Sequence, residues 1–494
     1  MITVLLDKAE FEYDIHSLVK AFYPKEEVYV STKDKEKKEE PVHYHMDVQF
    51  APEEIIFFWK KVEPSEENEN QTGITKRVAV DYTNRKETKN SLKRTLYRLL
   101  SEYTGVELPW GNLTGIRPTK IPMALLEEGK SEEEIAHYMK ETYFTSDEKI
   151  KLSIEIAERE LQLLKKLDYE EGYSLYIGIP FCPTTCLYCS FTSYSLAAWK
   201  NRMDEYLDAL EKELDYTAVK FAHKKLNSIY IGGGTPTTLN PQQLDRLIRK
   251  IKCSFDLSHL VEFTVEAGRP DSITKEKLMV LRNHDISRIS INPQTMKQET
   301  LDLIGRHHTV QQTIDSFNLA RELGFDNINM DLIVGLPGES LSDVADTMEV
   351  IRKLAPDNLT VHSLAIKRAA RLNIQRERYQ DFEIVNTADH IALTSKVAEE
   401  MGLFPYYLYR QKNMAGNFEN VGYAKVDKAG IYNILIMEEK QTILAAGAGA
   451  SSKFVFAADH IERVENVKDV AQYIGRIDEM IERKRSFMEA HGLF

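Results

Sequence analysis

A predicted β-strand runs directly into three cysteines in the segment Tyr176-Ile-Gly-Ile-Pro-Phe-Cys182-Pro-Thr-Thr-Cys186-Leu-Tyr-Cys189-Ser-Phe191. The spacing is CxxxCxxC, so three thiolates lie on one short loop. Such a loop can hold three irons of a 4Fe–4S cluster and leave the fourth iron without a protein ligand. A small molecule can then bind the open iron, and S-adenosylmethionine is the obvious candidate. The segment therefore predicts a radical enzyme with Cys182, Cys186 and Cys189 as the metal ligands.

A structural zinc site is the main alternative for these cysteines. Zinc in such a site takes four ligands, usually from CxxC pairs or from cysteine with histidine. The chain has four cysteines, and the fourth, Cys253, lies between a predicted helix and the following strand. That position belongs to the end of the fold opposite the cysteine loop, so we expect Cys253 to be a small packing residue. So few cysteines also exclude a disulfide scaffold.

The bulk composition bounds the class of protein. With 494 residues, 43% of them hydrophobic, the chain is long enough for roughly two to four domains. Its net charge of −13 argues against nucleic acid as a partner. The N-terminal residues lack the pattern of a signal peptide, and no run reaches the roughly 18 apolar residues of a membrane span. We therefore expect a cytoplasmic protein, since a reducing compartment suits a cluster on free thiols.

Six strand-like runs alternate with helical segments in the middle of the chain. Regular βα alternation implies parallel strands with helical crossovers, and six units are fewer than the eight of a closed barrel. We therefore expect an α/β fold, an incomplete (β/α)6 barrel with one open side that is wide enough for a large substrate. The predicted strands cover residues 173–179, 226–231, 260–265, 288–292, 327–333 and 358–364.

The flanking regions are predicted to form separate domains. We expect an N-terminal α+β domain with a helical linker over residues 1–168, the barrel over 169–371, and a C-terminal α+β domain that covers the substrate over 372–494. The elements expected outside the barrel are strands over 2–6, 43–50, 55–60 and 77–80, helices over 11–22, 89–105, 131–142, 146–167 and 373–402, a strand pair over 431–438 and 442–446, and an amphipathic helix over 467–490.

Polar residues end the predicted barrel strands, where barrel enzymes keep their sites. The second strand is followed by Gly232-Gly-Gly-Thr-Pro236, whose glycines let a ligand approach the backbone closely, although a bare tight turn would look the same. The next three strands end in Glu266, Gln294 and Asp331. Together they suit a zwitterionic ligand with vicinal hydroxyls, since Glu266 can bind an ammonium group and the other two can bind hydroxyls. Arg306 is the best candidate for the carboxylate of such a ligand.

These motifs together resemble one family. The relevant positions are Tyr176 to Phe191, Gly232 to Pro236, Glu266, Pro293-Gln294, Gly305-Arg306 and Asp331-Leu-Ile-Val-Gly-Leu-Pro-Gly338. The chain resembles the radical S-adenosylmethionine (radical SAM) family of oxygen-independent coproporphyrinogen III oxidases, and along most of its length the HemZ-type branch. That branch shares Leu113-Thr-Gly-Ile-Arg-Pro-Thr-Lys120 and Tyr406-Tyr-Leu-Tyr-Arg-Gln-Lys-Asn-Met414.

The resemblance implies a role for each candidate residue. The three cysteines would ligate a 4Fe–4S cluster, and Tyr176, the predicted catalytic residue, would lie beside the cluster and the cofactor S-adenosylmethionine. The other implied cofactor contacts are Tyr188 near the adenine, Gly233, Gly234 and Thr235 in the glycine run, Glu266 on the amino group, Arg306 on the carboxylate, and Gln294 and Asp331 on the ribose hydroxyls.

The resemblance also implies a reaction in haem biosynthesis. A 5′-deoxyadenosyl radical would remove hydrogen from the β-carbon of a propionate, and loss of an electron and of carbon dioxide would leave a vinyl group. Coproporphyrinogen III would thus become protoporphyrinogen IX, with an electron donor such as flavodoxin or ferredoxin as a partner. Two positions depart from the family pattern, since Phe191 replaces a fourth cysteine and Gly178 a histidine. Their loss resembles the related haem chaperones, so a haem-binding chaperone and another radical reaction on a tetrapyrrole stay open as alternatives.

A candidate substrate surface lies in the C-terminal region. Its tyrosines could cover a porphyrinogen disc while its basic residues pair with propionates, or the tyrosines could simply pack on the barrel. The residues concerned are Tyr406, Tyr407, Tyr409, Arg410 and Lys412. The glycine–alanine run over 447–452 could let the backbone approach the disc. Possible haem ligands are His307, His308 and His362, although a lone histidine more often has a structural role.

Overall fold

The computed structural model describes residues 1–32, 41–62, 73–115, 117–379, 382–411, 414–457 and 460–493. The chain forms two compact units, Met1–Glu155 and Ile156–Phe494. The three-part division given above, with boundaries at 168/169 and 371/372, stays a prediction. Within the described residues, no helix combines the length and the apolar character that crossing a membrane requires.

The first unit is built on a five-stranded sheet. Its elements are β1 (Ile2–Leu6), β2 (Val28–Thr32), β3 (Tyr44–Phe50), β4 (Glu54–Lys61) and β5 (Ile74–Ala79), with α1 (Glu12–Phe22), α2 (Arg85–Thr104), α3 (Lys120–Glu127) and α4 (Glu132–Tyr143). The strand order is β2-β1-β3-β4-β5, with β1 parallel to both of its neighbours and the other pairs antiparallel. Alternate side chains of β1 (Ile2, Val4 and Leu6) are fully buried, as the two-residue period of a strand requires. The short elements β2 and α3 are absent from the prediction.

The second unit contains most of the helices and strands. Its strands are β6 (Gly172–Ile179), β7 (Phe181–Cys182), β8 (Tyr194–Ser195), β9 (Lys225–Gly233), β10 (Glu262–Gly268), β11 (Arg288–Ile291), β12 (Ile328–Val334), β13 (Asn358–Ser363), β14 (Phe404–Tyr409), β15 (Asn420–Ala424), β16 (Thr442–Ala446), β17 (Ser451–Ala457) and β18 (His460–Glu465). The unit boundary falls within α5 (Asp147–Leu164), and the helices that follow it are α6 (Leu196–Trp199), α7 (Met203–Lys220), α8 (Pro241–Ser254), α9 (Lys275–Asn283), α10 (Gln298–Leu303), α11 (Val310–Glu322), α12 (Leu341–Leu354), α13 (Arg371–Ile374), α14 (Ala388–Glu400), α15 (Ile431–Glu438), α16 (Val470–Gly475) and α17 (Ile477–Ala490).

Six parallel strands form the centre of this unit. β6, β9, β10, β11, β12 and β13 lie side by side in chain order, and every neighbouring pair is parallel. The helices α7, α8, α9, α11 and α12 make the crossovers between them. The predicted α/β fold with an incomplete (β/α)6 barrel is therefore confirmed.

The C-terminal region adds strands to both edges of this sheet. On one side β16 runs parallel to β6, and β17 and β18 follow it in antiparallel order. On the other side β15 pairs antiparallel with β13, and β14 pairs with β15. Over the part of the chain that the structure describes, the complete sheet has 11 strands, in which β16 and β15 lie next to β6 and β13, the barrel strands that begin and end the βα series.

Two predicted elements of the C-terminal region are wrong. Residues 431–438 form the helix α15 instead of a strand, because Tyr432, Leu435 and Glu438 recur at helical spacing and are buried together. A short apolar run cannot be assigned from periodicity alone. The helix predicted over 373–402 is confined to α14 and the short α13, since Thr387 takes an extended conformation as the N-cap of α14.

The prediction that Cys253 packs in the interior is also wrong, because this cysteine is exposed. The buried face of α8 consists of Leu244, Leu247, Ile248 and Ile251. Cys253 comes two residues after Ile251, which rotates it away from that face.

Candidate functional site

The cysteine loop leaves the C-terminal end of β6 and is held by backbone hydrogen bonds. β7, at the start of the loop, pairs with β8 at its end. Within the loop, the Cys189 amide donates to the Cys186 carbonyl (3.2 Å). The Leu187 amide donates to the carbonyl of Ile304 (2.9 Å), and its carbonyl accepts from the Leu372 amide (3.0 Å). Two distant segments of the second unit therefore hold the loop that carries the thiols.

The three thiols lie in a partly buried environment that contains two cations. Cys186 is buried, whereas Cys182 and Cys189 are half-buried. Burial, together with the neighbouring cysteines, raises the pKa of Cys182 and raises the pKa of Cys189 to about 11. The Cys186 Sγ faces Nη1 of Arg269 (3.8 Å) and Nη1 of Arg306 (4.0 Å). Cys182 and Cys189 thus need a positive partner to ionise at neutral pH, and the two guanidinium groups bring positive charge to Cys186.

This donor set fits an iron–sulfur cluster better than a single metal ion. Among the residues that the structure describes, no group of three or more His, Cys, Asp or Glu side chains is arranged to hold one ion. The ligand sulfurs of a cluster are separated by its iron and sulfide atoms, whereas four zinc ligands meet at one ion. Three thiols without a fourth side-chain ligand also match a cluster with one open iron.

The glycine run fastens β9 to the strand that carries the cysteines. The Gly234 amide donates to the Ile179 carbonyl (2.8 Å), and the Thr235 amide donates to the Phe181 carbonyl (2.7 Å). The Thr235 hydroxyl lies 3.5 Å from Sγ of Cys182. A Cβ at Gly234 would stand 2.6 Å from the Phe181 carbonyl oxygen, so only glycine permits this approach. Because the Gly234 amide already donates a hydrogen bond within the protein, the predicted cofactor contact of this residue would have to use its carbonyl group.

Glu266 and Asp331 are the two carboxylates of the site. The Tyr230 hydroxyl donates to Glu266 Oε1 (2.5 Å), and Asn329 Nδ2 donates to Asp331 Oδ1 (2.7 Å). Burial raises the pKa of Glu266 to about 7, with a smaller contribution from Asp331, although the Tyr230 hydrogen bond opposes this. Burial also acts on Asp331, but hydrogen bonds and the charge of His362 hold its pKa below the ordinary value. One carboxyl is therefore poised to ionise when an ammonium group binds, while the other stays an acceptor.

Gln294 and Arg306 complete the predicted set. Gln294 adopts a φ of 70°, which is strained for a residue other than glycine. Its amide donates to the Asp331 carbonyl (2.9 Å), and its carbonyl accepts from Ile333 (2.9 Å), so β12 holds it in this conformation. The buried Arg306 donates from Nη2 to the Asn292 carbonyl (2.5 Å) and from Nη1 to the Tyr188 hydroxyl (3.4 Å). Its Nε has no hydrogen-bond partner among the described residues.

Arg269 is a site residue that the sequence reasoning missed. It is buried, forms a bidentate ion pair with Asp271 (3.0 and 2.7 Å), and donates from Nη1 to the Thr184 carbonyl (3.0 Å) in the cysteine loop. Its signal is its position directly after β10, three residues beyond Glu266. Arg269 therefore both anchors the loop and brings a positive charge to Cys186.

Three tyrosines stack on one another inside the second unit. Tyr176 of β6 stacks on Tyr230 of β9 with 6.3 Å between ring centroids, and Tyr230 stacks on Tyr432 of α15 at 4.5 Å. The Tyr176 hydroxyl lies beside Gly233. Tyr176 thus has one edge at the glycine run and its face in an aromatic stack, which gives it a packing role as well as its predicted place beside the cofactor.

The candidate substrate surface in the C-terminal region turns out to be largely interior. Tyr406 and Tyr407 are 1% and 5% exposed, and their hydroxyls meet Asn433 Nδ2 (3.2 Å) and the Thr360 hydroxyl (3.4 Å). Arg410 is buried as well, and Lys412 lies outside the described residues. Tyr406 and Tyr407 therefore pack on the barrel, as the second of the two alternatives predicted.

His308, His362 and the glycine–alanine run make contacts within the protein, whereas His307, the third candidate haem ligand, is exposed. His308 is fully buried, and burial together with Arg306 lowers its pKa to about 3, so it is neutral and enclosed. His362 faces Asp331 (3.9 Å) and the Tyr409 hydroxyl (3.3 Å). The close approach that Gly447 permits is to the chain itself, since a Cβ there would stand 2.6 Å from the Gly178 carbonyl oxygen.

Comparisons with known proteins agree with this arrangement. The family profile of the radical SAM superfamily matches residues 176–351. The oxygen-independent coproporphyrinogen-III oxidase-like protein HemZ of Bacillus subtilis (strain 168) is 42% identical over 430 residues, which cover 85% of this chain and 86% of the relative. The haem chaperone HemW of the same organism is 41% identical over 198 residues, but these cover 39% of this chain and 51% of the chaperone.

A solved structure supports the same fold. Coproporphyrinogen III oxidase (HemN) from Escherichia coli, described as a radical SAM enzyme, superposes with a TM-score of 0.51 and 25% sequence identity. The match covers 65% of this chain and 73% of the oxidase. The likeness to the HemZ-type protein therefore extends over more of the chain than the likeness to either of the other two.

Proposed function

Because the chain belongs to the radical SAM superfamily, in the oxygen-independent coproporphyrinogen III oxidase-like group of oxidoreductases, we propose that it decarboxylates coproporphyrinogen III to protoporphyrinogen IX. The observation that carries this choice is the extent of the HemZ-type similarity, which covers 85% of the chain. The haem chaperone is comparably identical over a much shorter stretch.

The residues of the site fit the two cofactors that the superfamily implies. Cys182, Cys186 and Cys189 would hold a 4Fe–4S cluster, and S-adenosylmethionine would bind its open iron. When bound, this pair supplies the radical that removes a hydrogen atom from the β-carbon of a propionate. An external donor such as flavodoxin or ferredoxin would supply the electron, and a reducing cytoplasm stays the predicted compartment.

The protein's own contribution is to bind and orient the cofactor. Glu266 would ionise to pair with the ammonium group, and its raised pKa makes this pairing dependent on pH. Asp331, held ionised by its hydrogen bonds, and Gln294, held by β12, would accept and donate at the ribose hydroxyls. Arg306 has a buried Nε without a partner among the described residues, which favours it as the carboxylate ligand.

Other residues would complete the cofactor site. Gly233, Gly234 and Thr235 bring the backbone of β9 against the cysteine strand, where a ligand can meet it closely. Tyr188 would contact the adenine, since its hydroxyl is held by Arg306 next to Cys186. Tyr176 would lie beside the cluster through its position at Gly233.

A haem-binding chaperone is the second candidate, and one observation favours it. Phe191 stands where the oxidases are expected to have a fourth cysteine, and its ring is 70% exposed beside the cysteine loop. An exposed aromatic ring suits the face of a bound macrocycle. Gly178, in place of the family's histidine, removes a polar group from the same end of β6. A different radical reaction on a tetrapyrrole would use the same site.

One experiment separates these candidates. Reconstituted protein is incubated anaerobically with a reductant, S-adenosylmethionine and coproporphyrinogen III, and the products are weighed by mass spectrometry. Two successive losses of carbon dioxide from the substrate support the proposal. An unchanged substrate, together with stoichiometric haem binding by the same preparation, would favour the chaperone instead.

A further inference from the structure

A positively charged segment follows β13 at the C-terminal face of the barrel. Residues 364–376 contain Lys367, Arg368, Arg371 and Arg376 and no acidic residue, in a chain whose net charge is −13. The C-terminal ends of parallel barrel strands are where such folds bind their ligands. A cluster of one charge at that place is an electrostatic feature of the site and concentrates anions there.

This cationic segment is fixed against the cysteine loop. The Leu372 amide donates to the Leu187 carbonyl (3.0 Å), and Arg371 Nη2 donates to the Thr185 carbonyl. Leu372 is also buried in an apolar cluster with Leu187. The loop and the cationic segment therefore form one surface, and Arg371 is already committed to the backbone of the loop.

Lys367 is the member of the segment that lies against Phe191, two residues after Cys189. Its Nζ lies 5.5 Å from the centre of the Phe191 ring, within the range of a cation–π contact. Its charge also acts on Cys189. Among the described side chains, no carboxylate pairs with the Lys367 ammonium group, although the lysine is half-buried. A partly desolvated cation beside an exposed aromatic ring is thus available to an anionic ligand.

We propose that Lys367 binds a propionate carboxylate of the tetrapyrrole and that Phe191 contacts the edge of its macrocycle. The inference rests on the proposed function only in taking a tetrapyrrole as the ligand, because a chaperone and a decarboxylase would both need the contact. The propionates are the anionic groups of such a ligand, and the macrocycle is its apolar part, so the lysine and the ring match it in charge and polarity. The cation–π contact holds the ammonium group at Phe191, two residues after Cys189 in the cysteine loop, which a reacting propionate would have to approach.

The cofactor carboxylate is the other anion that could reach this lysine. Arg306 is the better partner for it, because it is buried, contacts Cys186 and has an unpaired Nε among the described residues. Lys367 lies instead at Phe191, on the exposed side of the loop. The two cations are therefore assigned to two different carboxylates, and this assignment is tested separately.

Binding of coproporphyrin III, the stable oxidised form of the substrate, provides the test. The full-length protein, reconstituted anaerobically, is titrated with coproporphyrin III and with its tetramethyl ester, which has no carboxylate, and the change in porphyrin absorption gives Kd. We expect Lys367→Met to weaken binding of the acid about tenfold and to leave binding of the ester unchanged. Lys367→Arg should restore most of the affinity, and Phe191→Ala should weaken binding of both compounds.

Lys396→Met serves as the matched control, since Lys396 is 74% exposed on α14. Wild-type affinity of Lys367→Met for the acid, or an equal loss for the ester, would overturn the inference. A parallel loss of S-adenosylmethionine affinity would overturn it too, as would a wild-type protein that binds neither porphyrin. If porphyrin binding depends on Lys367 but the turnover assay shows no loss of carbon dioxide, the proposed decarboxylase activity is wrong and the proposed contact is still supported.

Discussion

The substitution Gly234→Ala tests whether the glycine run positions the cysteine loop. The new methyl group would stand 2.6 Å from the Phe181 carbonyl oxygen and 2.9 Å from both the Phe181 nitrogen and the Ile179 oxygen. All three are backbone atoms of the strand that leads to Cys182, so no flexible side chain can move aside. The strand itself has to shift.

The structure sets the size of the effect. Overpacking of this kind costs about 1–3 kcal/mol, and the shift weakens the hydrogen bonds from Gly234 to Ile179 (2.8 Å) and from Thr235 to Phe181 (2.7 Å), each worth about 1 kcal/mol. If each hydrogen bond loses about half of its energy, the native position of the loop should be destabilised by about 2–4 kcal/mol relative to shifted positions. Even the lower value changes its population roughly thirtyfold.

The assay is anaerobic reconstitution followed by measurement of iron and sulfide per chain, with the thermal unfolding midpoint recorded in parallel. Gly475→Ala is the control, because a Cβ at that position at the end of α16 meets no atom within 4 Å. We expect Gly234→Ala to bind much less iron than either the wild type or the control. Full iron content together with an unchanged midpoint would refute the role assigned to the glycine run.

Three further changes test the site and its support. Cys186→Ala should abolish iron binding and visible absorption, whereas Cys253→Ala, on an exposed position of α8, should preserve both; iron in the first variant would remove the cluster assignment. Burial raises the pKa of Glu266 to about 7, and an ammonium group pairs only with the carboxylate form. The affinity for S-adenosylmethionine, measured by calorimetry, should therefore fall nearly tenfold for each pH unit below that value. Glu266→Gln should bind weakly at every pH, and a wild-type affinity that does not change with pH would contradict this role. Lys484 Nζ lies 2.5 Å from the carboxylate of Glu213, a fully buried residue of α7. Lys484→Met removes this counter-charge and should destabilise the second unit by about 3–5 kcal/mol. The exposed Lys212→Met should change its denaturation midpoint little, and equal midpoints in the two variants would show that the pair is unimportant.

The barrel and the cysteine loop were predictable because their signals are local. A parallel strand that is buried on both faces has a mostly apolar sequence, as in β6, and the helices between the strands have clear boundaries such as Asn240 before α8. The three cysteines are adjacent in sequence, so their spacing alone indicates a common ligand. Glu266 and Asp331 were predicted to end their strands, but they lie two and three residues before the ends of β10 and β12, so the strand assignment gave their strands correctly and their positions only roughly.

The missed features depend on contacts between distant parts of the chain. Arg269 looks like an ordinary loop arginine until the fold brings Thr184 and Cys186 against it. The run 431–438 is short and mostly apolar, and its packing against β9 and β14 selects a helix. The position of Lys367 at the cysteine loop likewise depends on the hydrogen bonds that join the following helix to that loop. Hydrophobic periodicity and residue spacing do not predict such contacts between distant segments.

Ring contacts inside the barrel limit the paths by which a large ligand can reach the cysteine loop. At the N-terminal ends of the strands, the Ile431 amide at the start of α15 donates to the carboxylate of Glu262, the first residue of β10 (2.5 Å). From there α15 places Tyr432 on the ring of Tyr230, and the 4.5 Å between the two ring centroids leaves no space for a macrocycle between these rings. We expect the proposed tetrapyrrole to approach over the C-terminal ends of the strands, where Phe191 is exposed and Lys367 is half-buried. The proposed S-adenosylmethionine site lies at the same ends of the strands, so the two ligands would meet at the cysteine loop.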